Sequence, residues 1–310
     1  MGQYSIPCNE SSSSAVLERR PLVSVAMITY NHEPFIARAI EGVLRQRTDF
    51  PFELVIGEDA STDATREICQ HYQRRYPDVI RILWASENVS RDCSGNFYRT
   101  CQKCRGKYVA LCEGDDYWTD PDKLQLQVDY LEEHPECAIC FHPVRVVWTD
   151  GIHPDGFLPK HPERYVRRIL GLRELLSGNF ISTNSVVYRW NADGRVLTDF
   201  PVYELPGDWM LSLLHARMGN IGFINRCMAV YNRHGNGLWA GDWISEDWFR
   251  RVGVRVALFY KMVEERFHVC RKHILIPLIL ATVGVTAKDC SKEDVRKILT
   301  LYCPLPLWVW

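Results

Sequence analysis

The eight residues from Leu111 to Trp118 read LCEGDDYW. They close an apolar run, KYVALCE from Lys107 to Glu113, with a glycine, two adjacent aspartates and two large aromatics. Side by side, Asp115 and Asp116 repel each other, and close carboxylates on a loop are costly unless a cation neutralises them. The plainer alternative is a solvated turn leading into a capped helix, since Asp120 and Pro121 suit the start of the next helical pattern. The surrounding chain decides between the two.

Upstream, LVSVAMITY (Leu22 to Tyr30) is a short apolar run rich in β-branched residues and reads as a buried strand. NHEPF breaks it. Glu33 and Pro34 suit a helix start, and Ile36, Ile40, Val43 and Leu44 share one helical face. FELVIGEDAS repeats the scheme. A strand over Phe52 to Ile56 ends in acids, and STDATREICQHYQRRYP follows as a helix with Ser61 or Thr62 as cap. VIRILWA predicts a third strand, GNFYRTCQKC a helix stopped at Gly106, and KYVALCE a fourth strand. DPDKLQLQVDYLEEHP predicts a helix capped by Asp120, and CAICFHPVRVVW one further strand.

Strands and helices thus alternate from Leu22 to about Trp148. This predicts an α/β fold with a mostly parallel central sheet and helices on both faces. In such sheets ligands bind outside the carboxyl ends of the strands. The strand ends, Tyr30-Asn31, Glu58-Asp59 and Glu113 to Asp116, converge on one edge. That position favours the metal site over the solvated turn. Oxygen ligands suit Mg²⁺ or Mn²⁺, and such an ion commonly grips a diphosphate and stabilises charge on a leaving group.

The bulk numbers fit one large domain with an extension. The chain has 310 residues, 46% hydrophobic and 24% charged, enough for a sizeable core. A formal net charge of −1 supplies no field favouring nucleic acid, which is excluded as a partner on that ground. The first residues lack the apolar core of a secretory signal, so the twelve cysteines are expected to be reduced in a cytoplasmic protein. The longest apolar run, Ile274 to Val285, is too short to span a bilayer, which takes roughly 20 residues.

Beyond Gly151 the chain predicts a long surface loop to Arg168, a short helix in RELLSGN, a strand in ISTNSVVYR and a helix in GDWMLSLLHARMG. IGFINRCMAVYNRHGNGLWAGDW reads as a strand pair followed by a glycine-rich loop, and the residues after Asp247 as amphipathic helix. No glycine fingerprint of a dinucleotide fold follows the first strand, which removes support for a dehydrogenase.

Five segments in order, LVSVAMITYNHEPFIARAIEGVLRQ, FELVIGEDASTDAT, GKYVALCEGDDYWTDPDKLQLQ, GDWML and YNRHGNGLW, resemble the family 2 glycosyltransferases, inverting enzymes of the GT-A fold. The resemblance spans roughly Leu22 to Trp239. It implies a sugar moved from a nucleotide-diphosphate donor, UDP-linked in the usual case, to an acceptor hydroxyl in glycan or polysaccharide assembly. It implies that Thr29, Tyr30, Asn31 and Glu33 line the nucleotide pocket and that Asp59 binds the base, as a carboxylate accepting the N–H of a uracil edge does. The family's Asp-x-Asp matches Glu113, Gly114 and Asp115, with Asp116 following. Glu113 in place of the first aspartate is a departure, which leaves Asp115 and Asp116 as the metal ligands of choice.

The same resemblance makes Asp208 the base that takes the acceptor's proton as its oxygen attacks the anomeric carbon. The alternative for Asp208 is a plain helix cap at Gly-Asp-Trp. His234 matches a histidine placed at the diphosphate or metal, Trp239 is positioned to cover the sugar, and Asn232 stands where relatives often carry arginine. The implied architecture is a lead-in over 1–20, a GT-A domain over 21–245, and a helical extension over 246–310. The GT-A domain divides into a donor half, 21–148, and an acceptor half, 149–245. The acceptor is a glycan, a lipid-linked glycan or a protein. The C-terminal helices are candidates for a homodimer contact or for peripheral contact at the cytoplasmic face of a membrane.

Two other readings compete. A nucleotidyltransferase also has an α/β sheet with metal carboxylates, but carries a glycine-rich basic loop after its first strand, and TYNHEPF is not one. A zinc-structured interaction module would use CQKC (Cys101, Cys104) with CAIC (Cys137, Cys140). Against zinc, Cys137 and Cys140 enter a strand, where residues three apart face opposite sides.

Overall fold

The computed structural model describes residues 8–89, 95–166, 168–190, 195–200, 206–235 and 254–268. The chain divides into two compact units: residues 1–203 with 207–233, and residues 204–206 with 234–310. In the second, the described helix is Val254–Phe267, with Phe259 and Val263 buried.

The first unit is built on an eight-stranded mixed sheet. Its parallel centre holds β2 (Val23–Thr29), β3 (Phe52–Glu58), β4 (Ile80–Trp84) and β5 (Tyr108–Leu111), in the order β4-β3-β2-β5. Beyond β5 the order continues with β10 (Val187–Arg189), β7 (Cys137–Phe141) and β11 (Asn220–Phe223). β10 runs antiparallel between β5 and β7, so the sheet is less uniformly parallel than the alternation of elements predicts.

The central strands are buried on both faces, which is why they read as unbroken apolar runs. Alternation sorts their side chains. Val23, Val25, Met27, Leu54, Ile56, Tyr108 and Ala110 face one core, together with Ile36, Ala39, Ile40 and Val43 of α2 (Ile36–Leu44) and Cys69 of α3 (Thr65–Arg75). Leu124, Val128 and Leu131 of α5 (Lys123–Glu133) join them. α4 (Gly95–Gln102) covers the opposite face. It lies so close that a Cβ on Gly57 would stand 2.0 Å from the Thr100 hydroxyl, which explains the glycine inside β3.

The chain reverses direction of growth between β2 and β5. From β2 it winds outward to β3 and β4, then returns to lay β5 on the other side of β2. The carboxyl ends of β2 and β5 therefore flank the switch point where an open α/β sheet binds its ligand.

A second sheet has the order β6-β12-β8-β9, formed by Tyr117–Trp118, Ala229–Arg233, Val144–Trp148 and Gly156–Leu158. The expected single strand CAICFHPVRVVW is two strands in two sheets, because His142-Pro143 interrupts it and proline donates nothing to a ladder. The expected strand pair after Ile221 likewise divides: β11 joins the first sheet and β12 the second.

Residues 9–18 are part of the fold, contrary to the flexible lead expected over 1–20. β1 (Asn9–Ser11) pairs antiparallel with β4, and α1 (Ser14–Glu18) is capped by Ser13, whose hydroxyl accepts from the Val16 N–H at 3.2 Å. Arg105 donates to the Val16 and Leu17 carbonyls and ties α1 down. The serine-rich composition is thus used for capping.

Candidate active site

The end of β2 turns sharply. Asn31 has φ 54°, a left-handed conformation that asparagine tolerates. Its side-chain oxygen accepts from the Thr62 N–H at 2.8 Å, and its own N–H donates to the Ser61 hydroxyl at 3.1 Å. The His32 N–H donates to the Thr65 hydroxyl, the Glu33 N–H to Asp63, and the Ala64 N–H to Glu33. The loops after β2 and β3 are thereby laced together. These bonds occupy Ser61 and Thr62, and α3 starts only at Thr65, so neither residue caps it as expected.

Asp59 follows β3 and is fully buried. Its Oδ1 accepts from the Val89 N–H at 3.0 Å and lies 3.8 Å from the buried guanidinium of Arg99. Arg99 also donates to the Glu58 carbonyl and to Asn96, which fixes it behind the strand end.

The acid loop Glu113 to Asp116 leaves β5 against the end of β2. The Gly114 N–H donates to the Ile28 carbonyl at 2.9 Å. A Cβ on Gly114 would stand 2.8 Å from the Thr29 hydroxyl and 3.0 Å from the His32 ring, so only glycine allows this approach. Asp116 is 1% exposed. Its Oδ1 accepts from the Asn232 N–H at 2.9 Å, while its buried Oδ2 has no hydrogen-bond partner among the described residues. Asn232 also donates from its side chain to the Asp115 carbonyl at 2.7 Å. The half-buried Asp115 carboxylate lies 3.6 Å from His32 Nε2.

Asp208 stands in the first turn of the helix Gly207–Ala216, where the helix dipole favours a negative charge. Its Oδ2 accepts from the Thr183 hydroxyl at 3.0 Å and from Asn179 at 3.4 Å. Burial pushes its carboxyl above the ordinary value, against the opposing hydrogen bonds of Trp209 and Thr183. Burial also drives Glu113 well above the carboxylate range, assisted by the charges of Asp115 and Asp208. Asp116 is raised by burial and then by Asp115 and Glu113. Residues 95 positions apart in sequence thus share one negatively charged site at the switch point.

Among the described residues no three His, Cys, Asp or Glu side chains form a ligand group for a metal ion. An ion of the magnesium type takes one or two carboxylates and completes its shell from phosphates and water. The orphaned Asp116 oxygen beside Asp115 fits such a role. The zinc reading is different. Cys101, Cys104, Cys137 and Cys140 are buried, and burial holds their thiols up in the protonated form. They serve as small core side chains on α4, in the turn after it and on β7.

Thr29 is buried and Tyr30 exposed at the end of β2. His234 is buried and belongs to the second unit. Trp239 and the run Ile274 to Val285 lie outside the described residues. No helix among the described residues is long and apolar enough to cross a membrane. Sequence reasoning missed Thr183, and it did not foresee that Asn232 clamps the acid loop. It also gave Asp120 a cap role. α5 begins at Lys123 with Asp122 at its N-cap position; Asp120 Oδ1 accepts from the Asp122 N–H at 3.1 Å, too early for the cap, and its Oδ2 pairs with Arg226 at 2.5 Å.

The family model described as Glycosyl transferase family 2 matches residues 24–236. An uncharacterized protein of Mycobacterium tuberculosis is 46% identical over 217 residues, 70% of this chain and 60% of that protein. The chain therefore spans about three fifths of the length of that relative. The putative teichuronic acid biosynthesis glycosyltransferase TuaG of Bacillus subtilis is 28% identical over 233 residues, covering 74% of this chain and 87% of TuaG. Among solved structures, S. aureus TarS in complex with UDP-GlcNAc superposes with a TM-score of 0.62 at 17% identity, over 90% of this chain and 79% of that one. The mannosyltransferase PcManGT of Pyrobaculum calidifontis, in complex with GDP-Man and Mn²⁺, gives 0.53 at 16% identity, over 91% of this chain and 79% of that one. At these identities the structural likeness speaks for the fold.

Proposed function

This chain belongs to glycosyl transferase family 2, and on that premise we propose that it moves a sugar from a UDP-linked donor to an acceptor hydroxyl, with inversion and with Mn²⁺ or Mg²⁺ bound. The observation that carries this reading is the meeting of acids from two distant segments, Glu113 and Asp115 with Asp208, at the switch point of the sheet.

Asp115 would hold the metal, with the orphaned Asp116 oxygen close behind. A divalent cation bound there neutralises the negative charge of the departing diphosphate. Asp59, steadied by Arg99 and Val89, reads the base edge of the nucleotide. Thr29, Tyr30, Asn31 and Glu33 bound the pocket on the β2 side. Asp208 accepts the proton of the acceptor hydroxyl, and its raised affinity for protons makes it a better base than a solvated aspartate. TuaG is named for teichuronic acid biosynthesis, and an acceptor within a growing glycan fits that precedent.

The test is the pair Asp208→Asn and Asp59→Ala. Asp208→Asn should lower transfer by roughly 10²–10⁴-fold, the range of a general base, and keep donor binding. Asp59→Ala should weaken nucleotide binding. Undiminished turnover in the first variant would remove Asp208 as the base, and unchanged affinity in the second would move the base-binding role elsewhere.

A further inference from the structure

The hydroxyl of Thr183 aims at Asp208 from a short turn, Thr183–Ser185, that precedes β10. This turn is fixed from three directions. The Trp118 indole N–H donates to the Asn184 carbonyl at 2.9 Å, from β6. The Asn184 side chain donates to the Val230 carbonyl at 2.8 Å, on β12. Gln127 of α5 donates to the Ser185 carbonyl at 2.9 Å. Within the turn, the Ser185 hydroxyl donates to the Ser182 carbonyl at 2.6 Å, and the Ser182 hydroxyl to the Asn184 side chain at 3.0 Å. Asn184 and Ser185 are fully buried.

The strands that fix the turn also hold the acid loop. β6 begins directly after Asp116, and β12 supplies Asn232, which bonds both Asp115 and Asp116. A single rigid connection therefore runs from the acid loop through Trp118 and Asn184 to Thr183, and from there to Asp208. Reacting groups lose rate steeply when misplaced, so a base on a separate helix needs such a link. A hydroxyl donor also favours the charged form of the carboxylate it meets.

We propose that Thr183 is a positioning residue for the base: its hydroxyl holds Asp208 Oδ2 in register with the acid loop and keeps the carboxylate ionised. The inference rests on the reading of Asp208 as base. The Trp209 N–H meets this carboxylate from within the helix; among the side-chain donors Asn179 reaches the same oxygen only at 3.4 Å, a long contact, which makes Thr183 the shorter side-chain holder.

Two substitutions separate the hydroxyl from the methyl group. Thr183→Val keeps the shape and loses the donor, and Thr183→Ser keeps the donor. Aspartate labelled with ¹³C at the side-chain carboxyl, with Asp208→Asn assigning the resonance, reads the titration of Asp208 without any substrate. In Thr183→Val the Asp208 carboxyl should titrate at higher pH, and in Thr183→Ser it should return to the wild-type value. Turnover is read as UDP or GDP release, with whichever of UDP-glucose, UDP-N-acetylglucosamine and GDP-mannose the wild type cleaves. It should fall about 10- to 100-fold in the valine variant with unchanged KM, the scale of lost supporting contacts, and its acid limb should move to higher pH. Thr183→Ala carries the same expectation if the valine variant does not fold.

Wild-type titration of Asp208 in the variants lacking the donor overturns the proposal, as does loss of function in the serine variant equal to theirs. Full turnover in Asp208→Asn is a separate failure, that of the base itself.

Discussion

Buried carboxylates stand at both ends of the parallel strands, and the chain treats them in opposite ways. At the amino end, Glu53 of β3 is 1% exposed. It accepts from the Ser24 hydroxyl at 2.6 Å and from Arg81 and Arg105 at 3.1 and 2.6 Å. Burial alone pushes its carboxyl up, but the bonds from Arg105 and Ser24 and the charges of both arginines hold it below the ordinary value. At the carboxyl end, Glu58 and Asp59 likewise meet arginines, Arg66 and Arg99, but Glu113, Asp116 and Asp208 are all pushed up, and the charges acting on Glu113 and Asp116 are other acids. One end is neutralised by the protein itself. At the other, the acid cluster of Glu113, Asp115, Asp116 and Asp208 is left with negative charge that a cation and a diphosphate ligand would balance. Perturbed carboxylates cluster at functional sites, and only the second group has that character.

Four changes would break or sharpen this contrast. The largest effect is expected from Glu53→Ala, which leaves Arg81, 4% exposed, without its buried counter-charge. Removing one partner of such a pair costs about 3–5 kcal/mol. A urea midpoint close to wild type would mean that the amino-end network is as dispensable as a surface pair.

Next comes Lys123, fully buried on α5 with its ammonium 4.0 Å from the Trp118 ring centroid and no hydrogen-bond partner among the described residues. Burial lowers its pKa from 10.5 to about 7. Between those values the unfolded chain carries the extra proton, so stability should rise with pH across this window, by a few kcal/mol at most. Below about 7 the cost of the buried charge is present in full. Lys123→Met should flatten the rise, read from thermal unfolding at a series of pH values. A variant with the same slope as wild type would locate the titrating group elsewhere.

A smaller cost, roughly 1–3 kcal/mol, is expected from Gly114→Ala, whose new methyl meets Thr29 and His32. It should also weaken nucleotide binding, because the acid loop must move off β2. The smallest effect has the opposite sign. Asp115→Asn removes one charge from the acid cluster and should raise the stability of the metal-free protein by about 1 kcal/mol, the scale of a half-exposed charge contact. Metal binding should be lost in the same variant. Destabilisation instead would show that the cluster is balanced within the protein, and the two ends of the sheet would then be alike.

The sequence made the centre of the sheet legible because β2, β3 and β5 are buried on both faces and carry unbroken apolar runs. The acid loop was legible for the same reason, since it follows such a run directly. Orientation was not, as nothing local marks β10 as antiparallel between β5 and β7. The contacts that finish the site were also hidden. Asn232 meets Asp116 across 116 positions and Thr183 meets Asp208 across 25, and neither spacing leaves a periodic trace. Local capping patterns misled in the same region. Asp120 and Ser61 look like caps in sequence, but the helices start later, at Lys123 and Thr65; Asn31, brought close by the fold, takes the Ser61 hydroxyl, and Arg226 takes one oxygen of Asp120.

The most direct test of the account is calorimetric titration of UDP into the protein, once with Mn²⁺ and once with EDTA. Binding with Mn²⁺ that is lost with EDTA, and lost again in Asp115→Asn, is the predicted result. Equal binding with and without the metal, or no binding to correctly folded protein, would contradict the claim that the acids at the carboxyl end of the sheet hold a cation against a diphosphate.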